Sequence, residues 1–382
     1  MGAKHSHSNL AYFDNAATTP VDPRVLKAMA PYHNVMFGNP QATHMAGVVA
    51  RDAMEAARAK IANLLKVPIH TIYFTGGASE GINTFLRGVV SCNTSQRRKI
   101  VIGGIEHKAV SSTADDLKTK GFEVVKVDVT PNGVIDLHAL QRAVDFNTLI
   151  VAVMYVNNEI GTIQPVKHIA NVAHSRGALF FCDTTQATGK FPVHPRKLGI
   201  DGMCLSAHKM NGPKGVGALY IRDNISCTPL ITGGMQEMGQ RAGTSNVPGI
   251  VGLAVALDLH LSPEGQRAHS EVRAKRIWIE RELGEAFPWA RVNGAGAPRV
   301  DGILSISLPG VDNHDLTQYL DQRGLMVSTG SACNSGMRSP VLSSLGCTEE
   351  EEVGTLRISL GPQNTWAESR RMVNALINYF EE

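Results

Sequence analysis

The chain has 382 residues, enough for two domains and a large buried core. Its formal net charge is +3 and aromatic residues make up 5% of it, so the composition favours neither a nucleic-acid surface nor a membrane surface. No apolar run approaches the roughly 20 residues of a membrane span, and residues 1–9 lack the apolar segment of a secretory signal.

Strands and helices are predicted to alternate through the first 221 residues. Continuous apolar runs such as 149–154 are typical of strands in a sheet covered on both faces, while apolar residues at three- and four-residue steps predict helices. Helices are predicted at 23–35, 46–66, from a cap at Ser79 to about 90, 107–120, 136–145 and 165–176. Strands are predicted within 10–20 and at 72–75, 99–104, 123–129, 148–154, 179–182, 202–206 and 217–221.

The pattern changes after the Gly-rich stretch 233–249. Helices are predicted at 247–260, 265–287, 313–323 and 366–381, and strands at 302–308, 325–328 and 355–360. The fold class is therefore α/β: a large domain with a mostly parallel, seven-stranded sheet flanked by helices, and a smaller C-terminal α+β domain. We expect residues 15–260 to form the large domain, and residues 1–14 and 261–382 the small one, which carries a mobile loop at about 328–339.

Lys209 ends the run Ser206-Ala-His-Lys, directly after an apolar strand. Burying an ammonium group is costly, so a lysine here is either a surface residue at a turn or an amine with a chemical role and a lowered pKa. The special reading is a lysine that binds pyridoxal phosphate (PLP) through a Schiff base. One lysine does not decide between the two readings.

Polar residues also follow other predicted strands, at the edge where open α/β sheets bind ligands. Asp183 reads either as a loop acid or helix cap, or as the partner of a protonated pyridine nitrogen. Gln186 could reach the phenolic oxygen of the same ring. The turn 75–79 suits a phosphate, although such strand–Gly–helix turns are common and it matches no nucleotide-binding motif.

Three further candidates carry both a structural and a chemical interpretation. His107 begins a predicted helix and reads as a cap or as a proton-shuttling ring on the cofactor. Arg357 lies within an apolar strand, where it needs an anionic partner: a structural acid or a substrate carboxylate. Cys333 lies in the Gly- and Ser-rich stretch 328–336, where its thiol is either an exposed free cysteine or a nucleophile.

The other cysteines indicate no metal or disulfide framework. The six cysteines are irregularly spaced and form no C-x-x-C pair. Cys182 and Cys204 lie in apolar strands and are predicted to be buried and inert. A reducing, cytoplasmic compartment fits this usage best, and no metal site is expected.

Together these stretches resemble the cysteine desulfurases, which are PLP enzymes of fold type I in the class V aminotransferase group, and most closely the subgroup that serves nitrogenase and housekeeping iron–sulfur assembly. The resemblance extends from about residue 10 to residue 380. The matching stretches are 14–20, 37–40, 106–110, 156–161, 206–209, 212–215, 241–244, 330–333 and 356–361.

The resemblance implies a role for each candidate. Lys209 is the Schiff-base lysine, Asp183 pairs with the pyridine nitrogen, and His107 stacks on the ring. The remaining cofactor contacts are Gln186 and Asn158 on the phenolic side, Ala78, Ser79, Ser206 and His208 at the phosphate, and Thr244 at the phosphate of the neighbouring subunit. Arg357, with Asn158, binds the substrate carboxylate, and Cys333 attacks the substrate sulfur.

The implied activity is conversion of L-cysteine to L-alanine, with a persulfide left on Cys333 for transfer to an acceptor protein. Iron–sulfur scaffolds, tRNA thiolation and DNA sulfur modification remain open as destinations. The implied assembly is a homodimer with shared sites and without direct nucleic-acid or membrane contact. The alternatives are a selenocysteine lyase or another class V PLP enzyme, and a non-catalytic protein that kept the fold.

Two departures from the family pattern concern loops. Met235 and Met238 replace a usual glycine and arginine before the 241–244 motif, which puts the local loop shape in doubt. Arg338 stands where an acidic residue is usual after the cysteine, which could alter the choice of acceptor.

Overall fold

The computed structural model describes residues 10–330 and 339–381. Within them the strands are β1 (Ala11–Tyr12), β2 (Ile72–Thr75), β3 (Lys99–Gly103), β4 (Glu123–Val127), β5 (Thr148–Ala152), β6 (Leu179–Asp183), β7 (Gly202–Ser206), β8 (Gly217–Ile221), β9 (Arg291–Val292), β10 (Ile303–Ser307), β11 (Leu325–Met326) and β12 (Thr355–Ser359).

The same residues contain the α-helices that cover these strands. They are α1 (Pro23–Met29), α2 (Pro31–Asn34), α3 (Met45–Leu65), α4 (Ala78–Ser91), α5 (Lys108–Lys118), α6 (Leu137–Ala143), α7 (Val166–Ser175), α8 (Pro195–Leu198), α9 (Val247–Leu261), α10 (Pro263–Ala286), α11 (Asn313–Gln322), α12 (Pro340–Ser344), α13 (Glu349–Val353) and α14 (Trp366–Tyr379). None of the helices in this part of the chain is both long and apolar enough to cross a bilayer.

The large sheet has seven strands in the order β2-β8-β7-β6-β5-β3-β4. Strands β7, β6, β5, β3 and β4 are parallel, and β8 is antiparallel to both of its neighbours. All five residues of β5, β7 and β8 are buried, as expected for a sheet with helices on both faces. The predicted mostly parallel, seven-stranded α/β fold is confirmed.

The C-terminal part has its own sheet, β12-β10-β9, which is antiparallel. Near the N-terminus, β1 pairs in parallel with β11. Ala11 and Phe13 accordingly belong to a hydrophobic cluster whose other members lie between residues 272 and 376. This packing supports the proposed division into a large domain and a small one that includes the first residues.

Several predicted boundaries were wrong for local reasons. The helix expected at 23–35 is two helices, because Pro31 begins a new one at its first position. Ser79 is not the cap of α4, which begins at Ala78 with Gly77 at the capping position. The strand expected at 325–328 contains only two residues, and the short elements α8, α12, α13 and β9 were not predicted. The loop expected at 328–339 lies mostly outside the described residues.

Candidate active site

A cavity of about 830 Å³ opens at the carboxyl ends of the parallel strands, within the size range of ligand sites. Ile105 to His107 follow β3, Met154 to Asn158 follow β5, and Asp183 ends β6. Lys209 follows β7 on a short 3₁₀ turn, Ala207–Lys209. The predicted site residues that line this cavity are Ala78, Ser79, His107, Asn158, Asp183, Gln186, Ser206, His208, Lys209 and Arg357.

The Lys209 amine is held by the chain near the N-terminus. Its Nζ donates hydrogen bonds to the carbonyl oxygens of Ala16 and Ala17, each at 2.7 Å. These carbonyls orient the amine into the cavity wall rather than into solvent, so Lys209 is not a surface lysine at a turn. Sequence reasoning missed the two carbonyls, although they lie in the motif 14–20.

Asp183 is 6% exposed, and its hydrogen bonds converge on one oxygen. Oδ1 accepts from the backbone N–H of Thr185 at 2.9 Å, from the Thr185 hydroxyl, and from the thiol of Cys204 at 3.5 Å. Within the described residues no hydrogen bond reaches Oδ2. A carboxylate fixed through one oxygen, with the other available at the cavity, suits a protonated ring nitrogen. Thr185 had not been singled out from the sequence.

His107 caps α5: its Nδ1 accepts a hydrogen bond from the backbone N–H of Ala109 at 3.0 Å. Burial lowers the pKa of His107 below its usual value; the positive charges of Lys209 and Lys108 add to this, and Asp183 opposes it. A neutral ring that accepts at Nδ1 carries its proton at Nε2. The cap and a role in the cavity are thus compatible in one side chain.

The opposite end of the cavity is built for an anion. Gly77 has φ 151° and ψ −179°, a conformation that essentially only glycine adopts, and it brings the first turn of α4 beside Ser206. The N-terminus of α4 offers unpaired N–H groups and a positive dipole end. Nearby, His208 contacts the Thr18 hydroxyl at 3.1 Å, and burial, with Lys209 and Lys214, lowers the pKa of His208 to about 4.

Arg357 is 2% exposed. Its contacts agree in part with both partners expected from the sequence, a structural acid and a substrate carboxylate. Its Nη2 pairs with Asp14 Oδ1 at 2.7 Å, and its Nη1 donates to the carbonyl oxygen of Asn158 at 3.2 Å. Its Nε is buried and has no partner among the described residues. An unsatisfied buried donor costs about 1–3 kcal/mol, so a bound carboxylate would be stabilised there.

One of the predicted site residues, Thr244, does not join this group. Thr244 is exposed and is not among the residues that line the cavity. Cys333 lies outside the described residues, as does Arg338. Pro340 and Val341, which follow that stretch, line the cavity, and Ser339 donates to the buried carboxylate of Glu159 at 2.6 Å. Glu159 was also missed; burial raises its pKa.

The loop with the two methionine departures is held by a buried ion pair. Glu237 accepts from Arg58 at 2.7 and 3.0 Å and from the backbone N–H of Phe74 at 2.8 Å. Glu237 and Met238 both have positive φ, and Met235 and Met238 are exposed. The departures therefore fall on the surface side of a loop whose buried anchor is Glu237.

An amine, a carboxylate, a neutral histidine and an anion-binding turn around one cavity fit PLP. A family model described as aminotransferase class-V matches residues 11–372. The chain belongs to the class-V aminotransferase family. Members of this family depend on PLP, so the predicted cofactor is confirmed at the level of the family.

Individual members of the class-V family are similar over nearly the whole chain. A cysteine desulfurase IscS from Methanosarcina thermophila is 37% identical over 373 residues, 97% of this chain and 92% of that protein. The solved structure of a NifS-like protein has 37% identity and a TM-score of 0.91, covering 97% of this chain and 99% of its own. A structure of SspA in complex with cysteine has 34% identity and a TM-score of 0.81, with coverages of 93% and 99%.

Proposed function

We propose that this protein is a PLP-dependent cysteine desulfurase, which converts L-cysteine to L-alanine and keeps the sulfur as a persulfide on Cys333. The observation that carries the proposal is the convergence of Lys209, Asp183 and Arg357 on one cavity. The similarity to cysteine desulfurases supports it, as does the cysteine complex of a related structure.

The residues of the cavity divide the work by their chemistry. PLP, when bound, acts as an electron sink that stabilises negative charge on the α-carbon of the substrate. Lys209 would hold PLP and accept the α-proton, Asp183 would keep the ring nitrogen protonated, and the first turn of α4 with Ser206 and His208 would hold the phosphate. His107 can donate a hydrogen bond only from Nε2.

Substrate binding and sulfur transfer fall to the other residues. Arg357 would bind the carboxylate of L-cysteine, which also gives its buried Nε a partner. The Cys333 thiolate would attack the substrate sulfur: the new S–S bond forms as the Cβ–S bond breaks, and the electron pair and a proton remain with the carbon product, alanine.

A homodimer completes the proposal. Because Thr244 is exposed and does not line the cavity of its own chain, it is available to the phosphate in a neighbouring subunit. A sulfur-acceptor protein in the cytoplasm, either an iron–sulfur scaffold or a thiolation protein, would receive the persulfide. Trapping a mixed disulfide with Cys333 would identify it.

The competing function is another class V PLP reaction, such as selenocysteine lyase or aminotransferase activity. The test is to measure sulfide and alanine from L-cysteine in the presence of a reductant. Cys333→Ser is expected to abolish sulfide release while the absorbance of bound PLP persists. If Cys333→Ser keeps full desulfuration activity, Cys333 is not the nucleophile. If the unmodified protein binds no PLP, it is not a PLP enzyme.

A further inference from the structure

Lys190 hydrogen-bonds to the wall of the cavity from outside it. Its Nζ donates to Oε1 of Gln186, four residues earlier, at 2.5 Å, whereas Lys190 is not itself among the lining residues. The backbone around it is fixed, because the neighbouring carbonyl of Gly189 lies 3.0 Å from Nε2 of His269. Lys190 is therefore linked to the cavity through the side-chain amide of Gln186, which does line it.

That contact decides which end of the Gln186 amide faces which neighbour. Oε1 of the amide accepts from Lys190, and protonated Lys190 requires this orientation because an ammonium group has donors only. The nitrogen then points the other way, and Nε2 donates to the carbonyl oxygen of Ala16 at 2.9 Å. One of its two N–H groups is used there, and because Gln186 lines the cavity, its second N–H is the donor that this amide can offer to a ligand.

The same carbonyl of Ala16 accepts from Nζ of Lys209 at 2.7 Å. Lys190, Gln186, Ala16 and Lys209 thus form one chain of hydrogen bonds that ends at the reactive amine. Reversing the amide would place two acceptors, Oε1 of Gln186 and the Ala16 carbonyl, against each other. It would also place the NH₂ group against the donor of Lys190.

The charges around Lys190 couple it to the same amine. Burial, with the positive charges of Lys209 and Arg357, lowers the pKa of Lys190 to about 7, while Asp301 opposes this. His260 and His269 are also near it: burial lowers the pKa of each histidine, and the charge of Lys190 adds to this effect. Electrostatic effects are mutual, so the charge of Lys190 acts on Lys209 as well.

We propose that Lys190 is a positioning residue of the cofactor site, which fixes the Gln186 amide so that its nitrogen faces Lys209 and the cofactor. This rests on the proposed function, in which Gln186 lies at the phenolic oxygen of PLP. The ring oxygen requires a donor, and the hydrogen bond from protonated Lys190, together with the one from Nε2 to the Ala16 carbonyl, holds the amide so that it presents one.

The test compares Lys190→Met in the PLP-loaded enzyme with Lys197→Met, an exposed lysine in α8. Lys190→Met is expected to weaken PLP binding about tenfold or more, the usual effect of losing a hydrogen bond to a charged group. The pH midpoint of the absorbance of bound PLP should rise, because a positive charge near the nitrogen of Lys209 is gone. Lys190→Arg should restore most of the affinity, and Lys197→Met should change neither quantity.

A double-mutant cycle separates positioning from a general effect. If Lys190 acts through Gln186, Lys190→Met should cost little more once Gln186→Leu is present. Losses that add up, or a Lys190→Met enzyme with unchanged affinity and midpoint, would overturn the proposal. Should Lys190→Met not fold, Lys190→Gln keeps a neutral donor and must still raise the midpoint. Failure of the unmodified chain to bind PLP would instead reject the proposed function.

Discussion

At the scale of single residues, the site works by giving each polar group one defined orientation. Asp183 is fixed through Oδ1, His107 through Nδ1, and Gln186 through Lys190. Each of these contacts leaves the other half of the group for the cavity. Arg357 follows the same rule, since two of its nitrogens have partners and the third, Nε, has none among residues 10–330 and 339–381.

Arg357→Lys should raise the KM for L-cysteine about ten- to a hundredfold, with a smaller change in kcat. A lysine supplies the charge but not the paired donors that bind a carboxylate, and such charged hydrogen bonds are worth about 1.5–3 kcal/mol. Steady-state kinetics measure this, with Arg267→Lys, an exposed arginine, as the control. An unchanged KM would mean that Arg357 serves only its ion pair with Asp14.

At the scale of elements, the start of α4 and the loop at Glu237 are the two places where backbone conformation determines the site. Gly77 adopts a conformation closed to other residues, and Glu237 adopts a positive φ that its three hydrogen bonds hold in place. Glycine adopts its conformation without steric cost, whereas at Glu237 the cost of a positive φ is offset by contacts with other elements.

Gly77→Ala should lower the free energy of unfolding by about 1–3 kcal/mol and weaken PLP binding, because alanine is strained at this φ. Space is not the cause, since a Cβ there would lie 3.7 Å from the nearest atom, the Ser206 oxygen. Urea unfolding and PLP titration measure the two effects. Gly284→Ala, in the exposed interior of α10, should instead stabilise the protein by up to about 1 kcal/mol. Equal changes in the free energy of unfolding at the two positions would contradict backbone strain at position 77 as the cause.

Arg58→Met should destabilise the protein by about 3–5 kcal/mol, because it leaves the buried carboxylate of Glu237 without its charge partner. Adding Glu237→Gln should recover part of that loss. The exposed pair of Lys60 and Asp258 is the control, and Lys60→Met should cost at most about 1 kcal/mol. Similar losses for the buried and exposed pairs in urea unfolding would argue against a structural role for Glu237.

At the scale of the whole molecule, several histidines are held neutral by burial. The pKa values of His107 and His269 are lowered, that of His208 to about 4 and that of His260 to about 3. At pH values between these lowered pKa values and the usual histidine pKa of about 6.5, the folded chain binds fewer protons than the unfolded chain. Stability therefore rises with pH up to about 6.5 and is lost as pH falls below that value.

His260→Gln should make the loss of stability between pH 6.5 and 4 shallower, because one group that resists protonation is removed. His260 lies where α9 approaches α10, 3.1 Å from His269, so this change also tests the packing of the two helices. Thermal unfolding across this pH range measures it. The control is His168→Gln, which removes an exposed histidine of α7 and should leave the pH profile unchanged. Parallel profiles for His260→Gln and the unmodified protein would contradict the prediction.

The sequence by itself determined the α/β class, the order of the main elements and the ten predicted residues that line the cavity. The class and the order of the elements follow from strand and helix periodicity, which is local. Residues such as Asp183 and Gln186 could be singled out because parallel strands bring their carboxyl ends to one edge, whereas Ser206 and His208 were implied by the family resemblance alone. The roles given to those residues, and to Cys333 and Thr244, stay predictions that the experiments above address.

Only the tertiary structure decided the contacts between distant parts of the chain. Asp14 pairs with Arg357, 343 positions away, Ala16 and Ala17 hold Lys209, and Glu237 pairs with Arg58. It also decided that β8 runs antiparallel within the sheet. Such pairings depend on where whole elements pack, and local hydrophobic spacing carries no information about them. Lys190 is the clearest case. It lies four residues after Gln186, but its link to Lys209 depends on the Ala16 carbonyl, which accepts hydrogen bonds from both Gln186 and Lys209.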